Sequence, residues 1–226
     1  MLLTQDVLEQ IAAEPYEARG IPHSEIALII DTCRQQGVEV FIESGRARAQ
    51  STYMLAKYLP DVEIHSVDAR PDHPDEAFAR ERLKGFSNVS LYIGDGAQCL
   101  PAMVRQSAPR PTAVLCDGPK GLFAVAVVER CFRHDHVRAG FIHDMRPIDH
   151  GAPSPYRAAA QAVFSSALFS DAPSYVSTTR WMDAKVVLAN GPVGPDQERV
   201  FGSYGPTVGV FINPRKQQQQ AEELSQ

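Results

Sequence analysis

The chain has one tryptophan and four cysteines, Cys33, Cys99, Cys116 and Cys131, none of them spaced as a CxxC pair. Scattered cysteines of this kind exclude a disulfide scaffold and a cysteine-built zinc site, and predict reduced, mostly buried thiols. No apolar run approaches the roughly 18 residues that a spanning helix needs. The opening MLLTQDVLEQ lacks the basic and apolar regions of a secretory leader. A cytoplasmic location with no membrane partner is therefore the expectation. Positive charge is not in excess: 22 Lys and Arg face 27 Asp and Glu, a formal charge of −5 with a pI near 5.8. That balance opposes affinity for phosphate backbones, so nucleic acid is not the expected partner. No GxxxxGK[ST] is present, which excludes a P-loop. Apolar residues are not scarce; at 44% of 226 residues they suffice for one sizeable core.

Residues 23–35, HSEIALIIDTCRQ, carry a helical apolar stripe with Ser24 placed to cap it. VEVFIES at 38–44 then reads as a strand, followed by a small-residue turn and the helical stretch 50–59. The same grammar recurs at 63–69, 88–96, 112–118 and 139–145, each a short β-branched or aromatic run beside helical sequence. Strands alternating with helices imply a parallel sheet covered on both faces. Right-handed crossovers make this an α/β, Rossmann-like three-layer sandwich, with a mostly parallel, doubly wound sheet and a final antiparallel strand. Beyond 146 a Pro/Gly-rich loop precedes a helix around 157–168. PSYVSTT at 173–179 and PTVGVFIN at 206–213 read as two later strands that close the sheet edge as a hairpin-like pair. One domain is expected over 1–214, with N-terminal helices in 1–36, the core in 37–146, and a lid with edge strands in 147–214. The polar stretch 215–226 is expected to be a disordered tail. His134, Asp135 and His136 could chelate a metal but fall between a helix and a strand, where a solvated connector is the simpler expectation.

An acidic residue ends each of the five parallel strands: Glu43, Asp68, Asp95, Asp117 and Asp144. In a parallel sheet all five share one edge, the edge at which open α/β sheets bind ligands. Singly, such acids often cap the following helix. Together they suit a ligand rich in hydroxyl and amino donors, a positive charge or a divalent metal, and they suit a nucleoside triphosphate badly.

The turn after the first strand spells Glu43, Gly45, Ala47 and Ala49 in ExGxAxA spacing, with Arg46 and Arg48 interleaved. A dinucleotide GxGxxG would need glycine at 50, where Gln50 stands, so nicotinamide and flavin cofactors are disfavoured. With Asp68 ending the second strand, and Gly94, Asp95, Gly96 and Ala97 after the third, residues 23–146 resemble the class I S-adenosylmethionine-dependent methyltransferases. Their first motif reads ExGxGxG; here alanines hold its second and third glycine positions. The resemblance implies S-adenosylmethionine as cofactor, held by Glu43, Gly45, Ser51, Asp68, Gly94, Asp95, Gly96, Ala97 and Asp117, with Asp68 on the ribose hydroxyls.

LCDGPKG at 115–121 and FIHDM at 141–145 further resemble the catechol- and caffeoyl-type O-methyltransferases. In that branch an Asp and a Lys three positions later follow the fourth strand, which implies Asp117 and Lys120 here. A divalent metal such as Mg²⁺ is then held by Asp117 and Asp144, and Lys120 takes the substrate proton. The family's next residue is Asn, whereas this chain has Met145, a poor ligand for a hard cation. His143 is a further candidate base or ligand. From their residue types alone, Lys120 is equally a solvated side chain and His143 a structural one. Arg46 and Arg48 are either solvated or bind an anion. Arg146, His150, Tyr156 and Trp181 are candidates for a lid and an aromatic wall, or for ordinary packing.

The resulting expectation is methyl transfer to a small molecule, to oxygen before nitrogen. A catalytically inactive scaffold of the same fold, or less plausibly an NAD-dependent dehydrogenase, is the alternative. The acceptor's identity is not legible, and a homodimer is compatible with the sequence.

Overall fold

A computed structural model describes residues 2–17, 20–149, 152–190 and 207–213. Its helices are α1 (Gln5–Ala13), α2 (His23–Gln35), α3 (Gln50–Tyr58), α4 (Pro74–Leu83), α5 (Gly96–Ser107), α6 (Leu122–Cys131), α7 (Pro155–Val163), α8 (Pro173–Thr179) and α9 (Ala184–Asn190). Its strands are β1 (Val40–Ser44), β2 (Glu63–Asp68), β3 (Val89–Ile93), β4 (Thr112–Cys116), β5 (Val137–Ile142), β6 (Ile148–Asp149), β7 (Ala152–Pro153), β8 (Ala167–Phe169) and β9 (Gly209–Ile212). Seven strands form the main sheet in the order β3-β2-β1-β4-β5-β9-β8, and β6 with β7 forms a small separate hairpin. From β3 to β5 all pairings are parallel. β9 runs antiparallel to β5, and β8 antiparallel to β9.

Alternation along the central strands builds the two layers. Phe41, Ile64, Ala113, Leu115 and Phe141 face a core made with α1, α2 and α3. Val40, Ile42, Val114, Cys116 and Ile142 face a second core made with α5, α6 and α7. A strand buried on both faces reads as a continuous apolar run, which is why these segments stand out in the sequence.

Four expectations are corrected, the last of them that for Arg46. Residues 173–179 form α8, not a strand: Pro173 opens the helix, and the Thr178 and Thr179 hydroxyls donate to the Tyr175 carbonyl at 2.9 and 2.8 Å. Hydroxyls spent on the preceding turn remove much of the β preference that Ser and Thr suggest in sequence. The expected 157–168 helix begins at Pro155, capped by Ser154, and stops at Val163, so that Ala167–Phe169 becomes the strand that pairs with β9. Ser24 is not the cap of α2; its amide donates to Asp183 Oδ1 at 3.0 Å, a partner 159 positions away. The tail 215–226 and His150 lie outside the described residues. All four cysteines are free, and His134, Asp135 and His136 sit in the α6–β5 connector. Among the described residues no helix is long and apolar enough to cross a membrane.

Arg46 is neither solvated nor an anion-binding group. It leaves the β1–α3 loop and runs under the ends of β2 and β3, fully buried. Nη1 donates to the Ser66 carbonyl at 2.7 Å, and Nη2 pairs with Glu76 of α4. Glu76 is also held by Arg80 at 2.8 Å. Breaking one side of a buried pair strands the other charge, whereas removing both is far better tolerated. Arg46→Met should therefore cost about 3 kcal/mol in urea unfolding, and Arg46→Met combined with Glu76→Leu should recover most of it. Equal losses for the single and double variants would contradict this role.

Candidate functional site

Strand order reverses between β1 and β4, and the crevice at such a reversal is where a doubly wound sheet exposes its carboxyl ends to a ligand. Two adjoining hollows occupy it. One, of about 410 Å³, runs from Asp68 and Gly94 past Gly45 to Gly118 and Lys120. The other, of about 380 Å³, lies over the start of α3 beside Glu17, Arg48, Gln50 and Ser51. Gly45, Ala47 and Asp117 line both. Both volumes fall in the range of small-molecule sites.

Close backbone contacts shape the crevice. A Cβ on Gly45, whose φ is +90°, would stand 2.8 Å from the Asp117 carbonyl carbon. One on Gly96 would stand 2.2 Å from the Gly118 oxygen. Ala47 and Ala49 take the left-handed conformation that glycine prefers, with φ of 44° and 61°, at a cost of about 1 kcal/mol each. The turn at Ala47 aims its amide at Asp68 Oδ2, 2.9 Å away. The Ala49 methyl is buried against Ala79 and Leu83, away from the crevice.

The five strand-end acids separate into different environments. Glu43 is buried, and Oε1 accepts hydrogen bonds from Ser51 at 2.8 Å and Thr52 at 3.1 Å. Burial pushes its pKa up to about 7 despite those donors. It lines neither hollow and instead anchors α3. Burial would also raise Asp68, but the Ala47 and Arg70 amides and the Arg70 charge hold it below the usual range. Asp95 caps α5 through the Ala97 amide at 3.0 Å while its residue lines the larger hollow.

Asp117 and Asp144 meet in one charged cluster. Lys120 Nζ bridges them, in contact with Asp117 Oδ1 and 2.7 Å from Asp144 Oδ2. His143 Nδ1 lies 2.8 Å from Asp117 Oδ1, and Nε2 lies 3.2 Å from Glu25 Oε2. Glu25, buried on α2, also accepts from Ser170 Oγ at 2.8 Å and the Val208 amide at 3.2 Å. Burial favours neutral His143, yet the flanking carboxylates of Asp117 and Glu25 outweigh it and push the pKa up to about 10. Lys120 is likewise raised by Asp117 and Asp144 against its desolvation. Asp144 is held down by His143 and Lys120 against its own burial. Both candidate bases thus hold their protons at neutral pH. Among the described residues, Asp117, His143 and Asp144 are the group whose donor atoms lie close enough to share a metal, within 4.8 Å of one another.

The structure therefore gathers Asp68, Gly94, Asp95, Gly96, Asp117 and Lys120 along one cleft, with His143 and Asp144 joined to its Asp117 end. Ser51 lines the second hollow with its hydroxyl turned to Glu43. Arg48 lines it too, 3.1 Å from Glu17 and stacked on Phe78. Met145 is buried in the core below β5. Trp181 lines neither hollow; its indole donates to the Thr178 carbonyl. Glu25 escaped the sequence reading. Its one signal is a carboxylate in the first turn of α2, directly before the apolar run 26–30.

No family model matches the sequence, and no curated protein matches it either. Solved structures do match the fold. A provisionally assigned O-methyltransferase from Klebsiella pneumoniae aligns with a TM-score of 0.54 at 14% identity, covering 94% of this chain and 92% of that one. The O-methyltransferase TomG from Streptomyces achromogenes, solved in complex with S-adenosylmethionine, gives 0.51 at 16%, with 93% and 91% covered. An rRNA methylase from Streptococcus thermophilus gives 0.50 at 14%, with 83% and 96% covered. The chain has the Rossmann-like fold of the S-adenosylmethionine-dependent methyltransferases.

His143 supplies a direct test of the cluster. Its folded pKa lies above the roughly 6.5 of an unfolded chain. Its stabilising contribution is thus full below that pH and is lost as pH rises through about 10. ¹⁵N NMR should find both ring nitrogens protonated at pH 8, and a ring that titrates near its ordinary value would contradict the geometry.

Proposed function

We propose that this protein is a methyltransferase that moves the methyl group of S-adenosylmethionine to an oxygen of a small molecule. The observation that carries this reading is the single crevice running from the Asp68 carboxylate to the Asp117 cluster. Asp68 keeps acceptor capacity for a ribose diol: Oδ2 receives one amide, and the Arg70 side chain beside Oδ1 is half exposed and displaceable. At the other end Gln50 Nε2 is buried, lines the second hollow and lacks a hydrogen-bond partner among the described residues. It suits the carboxylate of an amino-acid end. When bound, S-adenosylmethionine supplies an electrophilic methyl on a sulfonium.

The chain's own contribution is largely positioning, which can lower a barrier by several kcal/mol, about 7–11 for well-aligned groups. The rigid close contacts at Gly45 and Gly96 fix the loops of β1, β3 and β4 against one another. A hydroxyl placed against the Lys120 ammonium has its pKa lowered by that charge, and its proton passes to water or to a carboxylate of the cluster. The divalent cation implied by the catechol and caffeoyl resemblance does not suit these residues. Both His143 nitrogens face carboxylates, and Met145 puts a buried thioether where an oxygen ligand is needed. A net charge of −5 favours a small-molecule acceptor over nucleic acid. We read residues 1–214 as one domain, with N-terminal helices in 1–36, the cofactor core in 37–146, and a lid with edge strands in 147–214.

Calorimetric titration with S-adenosylhomocysteine tests the proposal. Saturable binding is expected, with Asp68→Ala weakening it about tenfold or more, equivalent to about 1.4 kcal/mol. A folded protein that binds no S-adenosylhomocysteine would overturn the reading in favour of a scaffold, and preferential binding of NAD would favour a dehydrogenase.

A further inference from the structure

One buried donor at the start of α3 is left without an acceptor. Gln50 is 3% exposed. Its Oε1 accepts from the Glu17 amide at 3.0 Å and from Arg82 Nη2 at 3.2 Å, which fixes the side-chain amide so that Nε2 is the group left over. No side chain caps α3, and Gln50 and Ser51 of its first turn line the smaller hollow. An unpaired amide beside an uncapped helix start favours a carboxylate. The facing wall carries both signs of charge. Arg48 Nε lies 3.1 Å from Glu17 Oε1, and both residues line the same hollow. The Arg48 guanidinium is stacked 3.9 Å over the Phe78 ring, which holds its plane and leaves its edge for hydrogen bonds. Glu17 is placed by its own backbone: its amide is bound to Gln50, and its carbonyl accepts from the Gly20 amide at 2.8 Å. A Cβ on Gly20 would stand 2.7 Å from the Gln50 stem, so the chain lies this close to α3 only with glycine there.

A bare anion entering this hollow would meet Glu17, with Asp75 and Asp117 on the same lining, and a bare cation would meet Arg48. A group that carries both charges side by side complements the pair and leaves neither unmatched. We infer that Glu17 and Arg48 form a receptor for the zwitterion of an α-amino acid: Arg48, Gln50 Nε2 and the start of α3 take its carboxylate, and Glu17 takes its ammonium. Assigning that group to the cofactor rests on the methyltransferase reading. Gly45, Ala47 and Asp117 line both hollows, so one ligand can reach from the Asp68 end of the crevice to Glu17. Glu17 precedes α2 and lies outside the strand-end motifs, yet on this geometry it sets which ligands are accepted. A ligand stripped of its amino group, its carboxylate or both forfeits a charged contact.

The test titrates the full chain with four ligands: S-adenosylhomocysteine, its analogues lacking the α-amino group or the α-carboxylate, and 5′-methylthioadenosine, which lacks the whole amino-acid end. Glu17→Gln should weaken S-adenosylhomocysteine about tenfold or more and leave the deaminated analogue and 5′-methylthioadenosine unchanged. Arg48→Met should weaken S-adenosylhomocysteine and the deaminated analogue by a similar factor, and leave the decarboxylated analogue and 5′-methylthioadenosine unchanged. Unchanged 5′-methylthioadenosine binding shows that each variant keeps its fold and its nucleoside site. Glu17→Gln that leaves S-adenosylhomocysteine affinity as it was or raises it would overturn the inference. So would either variant that weakens all four ligands alike, since the residue then acts through the fold. Wild type that binds 5′-methylthioadenosine as tightly as S-adenosylhomocysteine would overturn it too, and would leave the nucleoside half of the methyltransferase reading standing. Wild type that binds none of the four would overturn both.

Discussion

Crowding of carboxylates at one sheet edge is the constraint that the rest of this structure answers. A parallel sheet delivers the ends of β1 to β5 to the same side, and each end carries an acid. Left alone, the acids would repel one another and take up protons. Each instead has its own partners. Glu43 is sealed under α3 with two hydroxyls. Asp68 is held by backbone amides. Asp95 caps α5. Asp117 and Asp144 share Lys120 and draw in His143, which Glu25 braces from the far side. The acids that line the crevice, Asp68, Asp95 and Asp117, are those a hydroxyl-rich ligand can use.

The loop after β1 is where fold and site depend on each other most closely. Its left-handed residues at 45, 47 and 49 bring the chain close to the β4 loop and aim one amide at Asp68. Arg46, between them, locks the same loop to β2, β3 and α4 through buried contacts. Two alanines in glycine-favoured conformations cost some stability, and the Arg46–Glu76 pair holds the turn in place against that strain.

Much of the fold was legible because β1, β2, β4 and β5 are buried on both faces or nearly so, and such strands announce themselves as short β-branched runs between turns. The strand-end acids were legible for the same reason, since a strand end locates its last residue. What escaped depends on contacts distant in sequence. Ser24 looked like a cap because local sequence cannot show that Asp183 takes its amide. The helix at 173–179 looked like a strand because its Val and Thr are β-branched, and local sequence cannot show that the Thr178 and Thr179 hydroxyls are spent on the preceding turn. Arg46 looked solvated because nothing nearby in sequence names Glu76 as its partner, and Glu25 became a site residue only once α2 was laid against the end of β5.

The most direct measurement is a crystal structure of the protein soaked with S-adenosylhomocysteine. The ribose is expected on Asp68, the amino-acid end over the start of α3 near Gln50, and Lys120 still bridging Asp117 and Asp144. A ligand seated elsewhere, or a crevice that stays closed to it while the protein remains folded, would contradict a cofactor site at the carboxyl edge of this sheet.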